Sequence, residues 1–465
     1  MFRLRALFLL AASSAVLIST ACGGSDTVSV STASTTPTGV SAAKSPTASP
    51  SPASAAVVPA ATNARKLGTS AGLTTTAKDP SFVAVSGAKA TFAKSGNAVY
   101  QVEMPDKWNG EVVYYAHGFA GFGTEVSVAP PPQALRDQLI AGGYAWAASS
   151  FSENGYVPGI GADDTLALKR IFEEKFGKAK RSYLVGASMG GNVVALSLEN
   201  FPNEYDGALS VCGALAGQEQ IDFLASWTAL AEFTSGVKIP IGEGSKEIAS
   251  ILLQQLPKAL GAPDSPTEKG KQFASAVRLL TGGPRPFFAE GFKEQYVVNF
   301  GLTLLDPDRK SLAASASTND GVKYTIEPGL GLSNEQLDSG VRRFKADPAS
   351  RNADAHPDAV PTSGKISKPL LTLHGTGDLF VPISQEQSYR KKVEAAGKGD
   401  LLVQRAIRSG GHCKFSAEEF TAAFSDLVAW VNDGKRPKGD DLLGDLSDIG
   451  RQFTNPIRAG DPGTK

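Results

Sequence analysis

Gly186-Ala187-Ser188-Met189-Gly190 follows directly on the apolar run Arg181-Ser182-Tyr183-Leu184-Val185, and a helix-like segment, Asn192 to Asn200, comes next. A serine between two glycines at a sharp strand-to-helix turn has the form of a nucleophile elbow, where a strained turn lifts a hydroxyl clear of the sheet. The glycines are needed because neighbouring elements crowd such a turn and its backbone angles are hard on any Cβ. The pattern alone is weak. Gly68-Thr69-Ser70-Ala71-Gly72 matches it too, in a chain holding 49 glycines among 465 residues. Ser70, however, follows Asn63-Ala64-Arg65-Lys66-Leu67, which is no buried strand, and borders a low-complexity stretch. Ser188 has a strand before it, a helix after it and suitable partners later in the chain, so Ser188 is the expected nucleophile.

Acyl transfer by serine needs a base for the hydroxyl proton, an acid to orient that base, and donors for the oxyanion. Three histidines lie downstream of Ser188: His356, His374 and His412. His374 ends a strand and precedes the best acid, which makes it structural in this reading. His356, in Asp354-Ala355-His356-Pro357, has no strand before it. His412 sits in Ser409-Gly410-Gly411-His412-Cys413, a glycine-loosened loop just past the last strand. That edge is where open α/β sheets meet ligands, and His412 is the expected base.

The acid is expected at Asp378, where the strand ending Leu373-His374 runs into Gly375-Thr376-Gly377-Asp378. The plain alternative is a turn aspartate capping the next element. For the oxyanion, Met189 offers an N–H at the start of its helix, where amides lack intrahelical partners. The loop Ala116-His117-Gly118-Phe119-Ala120-Gly121 is expected to supply a second from Phe119, with Gly118 allowing close approach and His117 bracing the loop.

These residues need a sheet to hold them. Phe82 to Val85, Ala90 to Phe92 and Ala98 to Met104 read as short edge strands, beginning near Pro80. Glu111 to Ala116, Tyr144 to Ala148, Arg181 to Val185 and Asp206 to Val211 read as further strands. Gln133 to Ala141 and Asp163 to Phe176 read as helices between them, the latter from its apolar spacing. This alternation predicts an α/β fold, a doubly wound and mostly parallel sheet covered on both faces.

The rhythm stops across 214–365, where Gln218 to Phe233, Lys246 to Leu260, Glu268 to Leu280 and Gln336 to Phe344 are helical patterns. It resumes with the strands Pro369 to Leu373 and Leu401 to Ile407 and the helices Gln385 to Ala396 and Ala417 to Asn432. The expected organisation is therefore a core of 80–213 and 366–435, an inserted helical cap of 214–365, and a polar, peripheral tail of 436–465. Aromatic residues of the cap (Phe223, Trp227, Phe233, Phe287, Phe288, Phe292, Tyr296) either line a substrate pocket or pack the cap's own helices.

Arg3 and Arg5 precede the apolar stretch Ala6 to Ile18, which is too short to span a bilayer and reads as an export signal over 1–22. Ser19-Thr20-Ala21-Cys22 resembles a bacterial lipobox, with Cys22 lipidated as the mature first residue; the departure is Ser19, where the family prefers a larger aliphatic residue. Cleavage by an ordinary signal peptidase is the alternative. Residues 23–79 are expected to be a disordered tether, since Gly23 to Asn63 is almost wholly Ser, Thr, Ala, Pro, Val and Gly. The expected location is exported, at the cell envelope through a lipid anchor or otherwise secreted. Forty-six basic residues balance 46 acidic ones, which argues against a nucleic-acid partner.

Cys212 and Cys413 fall on the same sheet edge, and an even pair in an exported protein favours a disulfide. Cys212–Cys413 is the expected bridge, restraining the His412 loop; two isolated buried thiols are the alternative. No His, Cys and carboxylate spacing fits a metal site.

From about residue 98 to 432 the chain resembles the α/β-hydrolase superfamily, whose chain order is nucleophile, acid, histidine. Trp108-Asn109-Gly110, Gly143-Tyr144-Ala145, Cys212-Gly213 and Gly411-His412-Cys413 resemble elements of exported bacterial members. A more distant similarity is to the tannase and feruloyl esterase family, which carries a Trp-Asn-Gly element and a cysteine after the histidine. In that family a cysteine precedes the serine and pairs with the second; here Ala187 holds that place, so the partner moves to Cys212. The resemblance implies hydrolysis of esters or amides without a cofactor. It leaves three expectations: a carboxylesterase on small to medium esters, a peptidase cleaving near peptide termini, or a non-catalytic lipoprotein binding module on a hydrolase scaffold.

Overall fold

The computed structural model describes residues 67, 74–78, 83–240, 248–300, 316–351 and 360–455. Cys22, Ser70 and His356 lie outside the described residues, as do the export signal and most of the tether.

Strand β1 (Ala88–Ser95) and β2 (Ala98–Pro105) form an antiparallel edge, and β2 pairs antiparallel with β4 (Ala145–Ser149). The remaining contacts are parallel and join β3 (Glu111–Ala116), β4, β5 (Arg181–Ala187), β6 (Gly207–Val211), β7 (Leu370–Gly375) and β8 (Leu402–Ile407). The eight strands lie in the order β1-β2-β4-β3-β5-β6-β7-β8. This is the α/β-hydrolase fold.

Side-chain alternation explains why the strands read as continuous apolar runs. Val113, Tyr115, Tyr183 and Val185 point to one face, where helices α1 (Gln133–Ala141) and α9 (Ala417–Asp433) bring Leu135, Leu139, Phe420 and Phe424. Val112, Tyr114 and Leu184 point to the other. There α2 (Pro158–Phe176), α3 (Met189–Asn200) and α8 (Ser384–Ala395) contribute Leu168, Phe172, Val194, Leu198, Tyr389 and Val393. With period 2 and both faces covered, most strand positions are apolar, and buried polar exceptions such as Glu103, Thr372 and Gln404 are hydrogen-bonded.

Between β6 and β7 lies the cap. It contains α4 (Glu219–Ser235), the consecutive helical segments Ile248–Ser250, Ile251–Gln255 and Leu256–Leu260, α5 (Glu268–Leu280), α6 (Phe288–Gln295) and α7 (Asn334–Gly340). Its core is aromatic. Trp227, fully buried on α4, meets the rings of Phe223, Phe273, Phe292 and Phe300 at centroid distances of 5.2–6.2 Å.

The structure departs from the sequence reading in four places. Val83 to Val85 is not a strand, because side chains take its backbone partners: the Val85 amide donates to the Glu103 carboxylate, and Arg136 Nη2 donates to Val83 O at 2.9 Å. The ordered chain also reaches into the expected tether. Thr76–Lys78 pairs in parallel with Glu125–Ser127, as suits a threonine-rich run of β-branched residues, and Leu67 is buried with its N–H on Asp163. Helix α6 was not expected, since Gly291 in its middle is a poor helix former. The tail is not peripheral. Asp440 N donates to Gln404 O at 2.7 Å and Ala406 N to Asp440 Oδ2 at 2.8 Å, while Leu442 and Leu446 bury against Ile383 and Ala406. It covers the outer edge of β8, which would otherwise present unpaired backbone groups.

Candidate active site

Four strands of the sheet deliver the site from their C-terminal ends. β5 leads into Ser188, whose φ of 58° and ψ of −120° lie where few non-glycine residues are found. The elbow is held by Ser188 N donating to Val211 O at 3.0 Å and by Gly191 N and Ala214 N donating to Ser188 O. The flanking glycines answer to sterics: a Cβ on Gly186 would lie 2.1 Å from Gly190 O, and one on Gly190 would lie 2.0 Å from Ala116 O. A side chain at Gly190 would push the end of β3 and its loop away, and one at Gly186 would collide with the first turns of α3.

Strands β7 and β8 end side by side, and their loops are laced together. Thr376 N donates to Ile407 O and Gly377 N to Ser409 O, both at 2.8 Å. This brings Asp378 beside His412, although 34 residues separate them. His412 Nδ1 lies 2.6 Å from Asp378 Oδ2, and its Nε2 lies 2.8 Å from Ser188 Oγ. Because a carboxylate accepts only, Nδ1 carries the hydrogen and Nε2 is free to accept the serine proton. The other Asp378 oxygen accepts from Phe380 N and Val381 N, each at 3.0 Å. Asp378 is fully buried, Ser188 and His412 nearly so, and the Phe380 ring packs 5.0 Å from the imidazole.

The loop after β3 passes directly over Ser188: a Cβ on Gly118 would lie 3.1 Å from the serine Cβ. The next residue is Phe119, and Met189 opens α3 immediately after the serine. His117 braces this loop. Its ring stacks on Phe151 at 4.0 Å, its Nδ1 donates to Gly118 O at 2.7 Å, and burial pushes its pKa down, keeping it neutral.

Cys212 and Cys413 form a disulfide with Cα atoms 5.2 Å apart. Both have left-handed backbones, φ 48° and 56°. The Cys413 sulfur lies 3.5 Å from His412 Nε2, so the bridge ties the histidine loop to the end of β6 immediately beside the reacting atoms. His412 and the two cysteines are close enough to share an ion, but the sulfurs are bonded to each other and offer no thiolate. The other candidate, His374, is fully buried on β7, where Nε2 donates to Val381 O at 2.8 Å and Nδ1 faces Glu386 at 3.3 Å. Burial pushes its pKa down, but Glu386, Asp378 and the Val381 carbonyl outweigh it and the net effect is upward.

Sequence reasoning missed how the cap grips the acid turn. Arg285 Nε donates to Thr376 O at 2.6 Å, Gln220 Nε2 to Phe380 O at 2.6 Å and Asn299 Nδ2 to Leu379 O at 2.8 Å, while Leu379 N donates to Gln295 Oε1 at 2.8 Å. A Cβ on Gly291 would lie 1.6 Å from Gly377 O, so only glycine lets α6 lie against the turn. The available signals were a glycine inside an aromatic helical pattern and a lone arginine in Gly282-Gly283-Pro284-Arg285-Pro286-Phe287-Phe288.

No family model matches the sequence. An o-phthalyl amidase from Xanthobacter agilis is 20% identical over 406 residues, spanning 74% of this chain and 87% of that protein. Among solved structures, an esterase from Aspergillus oryzae aligns at 15% identity and a TM-score of 0.41, covering 75% of this chain and 80% of that one. Feruloyl esterase B from the same organism aligns at 13% and 0.39, covering 76% and 81%. An acylaminoacyl peptidase bound to Z-Gly-Gly-Phe-chloromethyl ketone aligns at 13% and 0.38, covering 76% and 43%. The strand order and the elbow after β5 are those of the α/β-hydrolase fold.

Proposed function

We propose that this chain is a serine hydrolase working through an acyl-enzyme, with carboxylic esters of small to medium size as its substrates. The observation that supports it is the unbroken hydrogen-bonded line Asp378–His412–Ser188, at 2.6 and 2.8 Å. Ser188 Oγ attacks the carbonyl carbon as His412 Nε2 takes its proton, and Asp378 steadies the imidazolium that results. The tetrahedral oxyanion is received by the N–H groups of Met189 and Phe119. His412 then protonates the departing alcohol. A water, deprotonated by the same nitrogen, attacks the acyl carbon and frees the acid and Ser188.

The amidase relative favours a second reading, in which the same steps release an amine. A peptidase holding a substrate amine needs an acidic group at the pocket rim. Glu232 is engaged by Arg342 and Ile239 N, and Glu294 by Lys414. Glu290 is exposed, and its Cβ would lie 2.8 Å from a Cβ on Gly410.

A fluorophosphonate should label Ser188, and folded protein that takes no label would favour a non-catalytic binding module. A panel of p-nitrophenyl esters of rising chain length beside aminoacyl p-nitroanilides separates the two chemistries; hydrolysis of the anilides alone would overturn the ester assignment. We also propose export with lipidation at Cys22, testable as fatty-acid incorporation that Cys22→Ser abolishes.

A further inference from the structure

Arg285 is buried just before α6, and its hydrogen-bond and ring contacts are all neutral among the described residues. Nε donates to Thr376 O at 2.6 Å, Nη1 to Gly283 O at 2.8 Å and Nη2 to Thr281 Oγ1 at 3.0 Å, with the Phe288 ring 5.2 Å from the guanidinium carbon. Asp378, two residues beyond Thr376, is fully buried, and its oxygens are taken by His412 Nδ1 and two backbone amides. Two buried charges of opposite sign thus flank one turn, neither with a counter-ion in contact. Such charges are expensive unless they compensate each other.

We propose that Arg285 is a positioning residue for the acid–base pair: its charge holds Asp378 ionised inside the protein and disfavours the protonated form of His412. The proposal rests on the serine-hydrolase reading above. Contact at a distance, through the Thr376 carbonyl, leaves both Asp378 oxygens free for the histidine and the turn amides. A direct bidentate pair would compete for them. Burial pushes the Arg285 guanidinium down to about 9, Asp378 pulls it back and neighbouring Arg278 pushes it further down, so it remains charged at neutral pH. The cap therefore contributes electrostatics to a site whose reacting groups all come from the sheet.

Other ionisable groups face the pair. His374 on β7 faces Glu386 on α8, Arg278 is bound by Glu327, Glu290 and Glu294 sit on α6 with Glu294 held by Lys414, and Arg408 is held by Asp448 beyond β8. All persist when Arg285 alone is changed.

The test is the rate of fluorophosphonate labelling of Ser188 from pH 5 to 9, which needs no knowledge of the substrate. Arg285→Gln keeps a donor for Thr376 O but loses the charge. Its acid limb should move up by about 0.5–1 pH unit, cutting labelling below the limb by roughly 3- to 10-fold while the alkaline plateau changes little. Arg285→Lys, charged across that limb, should keep the wild-type position. A Gln limb that does not move, or one that moves down, overturns the proposal. If the Gln variant fails to fold by near-UV circular dichroism, the Lys variant decides: a limb displaced from wild type refutes a role for the charge. Absence of labelling in the wild type at every pH would instead sink the assignment of Ser188.

Discussion

The sheet and the cap are held together by different physics. In the sheet, backbone ladders and alternating apolar faces fix every strand, and the site residues ride on short loops from four strand ends. In the cap, helices converge on one aromatic cluster, and long polar side chains reach out to grip the acid turn. The sheet presents Ser188, Asp378 and His412; the cap holds the Asp378 loop in place. Removing a polar side chain of the candidate site from the sheet's loops should therefore cost chemistry with little loss of stability, and damage to the cap should cost both.

The sharpest contrast is Ser188→Ala. Turnover of any ester accepted by the wild type should fall on the order of 10⁴-fold or more, because the triad acts as a unit. The melting midpoint should not drop; a large drop would mean the elbow serine is structural. Next comes Trp227→Ala, which empties the centre of the cap and should cost about 3–5 kcal/mol by denaturant titration. A single transition shifted to lower denaturant would show that cap and sheet unfold together, whereas two separated transitions would break the picture of a cap clasped to the core. Replacing both Cys212 and Cys413 with alanine should cost about 2–4 kcal/mol. Activity of that variant should fall through kcat more than through KM, since the bridge anchors the base.

The smallest effect separates two buried histidines. The pKa of His117 is lowered, so its contribution to stability is present above the unfolded value of about 6.5 and is lost as pH falls below it. The pKa of His374 is raised, so its contribution is present below about 6.5 and is lost as pH rises through the folded value. His117→Phe should remove the acid-side loss and leave melting midpoints that decline as pH rises from 6. Midpoints that still fall on the acid side of neutrality would assign that loss to other groups.

Periodicity made the sheet legible. Glu111–Ala116, Gln133–Ala141 and Glu268–Leu280 run between the same residues in the sequence reading and in the structure. Ser188, Asp378 and His412 could be proposed from local context, because a strand running into glycines announces the edge where such residues gather. The structure brings the three within hydrogen-bond reach. What stayed hidden depends on long-range contact. Gly291 looks like a helix breaker until Gly377 is seen against it, and Arg285 looks like a surface charge until its carbonyl partner is known. Likewise Asp440 seems a solvated tail residue until the open edge of β8 explains it. Composition describes a segment; only its neighbour says whether it is needed.

The bridge between Cys212 and Cys413 joins positions 201 residues apart, and the entire cap lies within the ring it closes. A protease that clips an exposed segment inside this ring would produce two polypeptides but release neither. The fragment bearing Ser188 and the fragment bearing His412 would stay covalently attached beside each other, and the nicked protein would migrate as one band until a reductant was added.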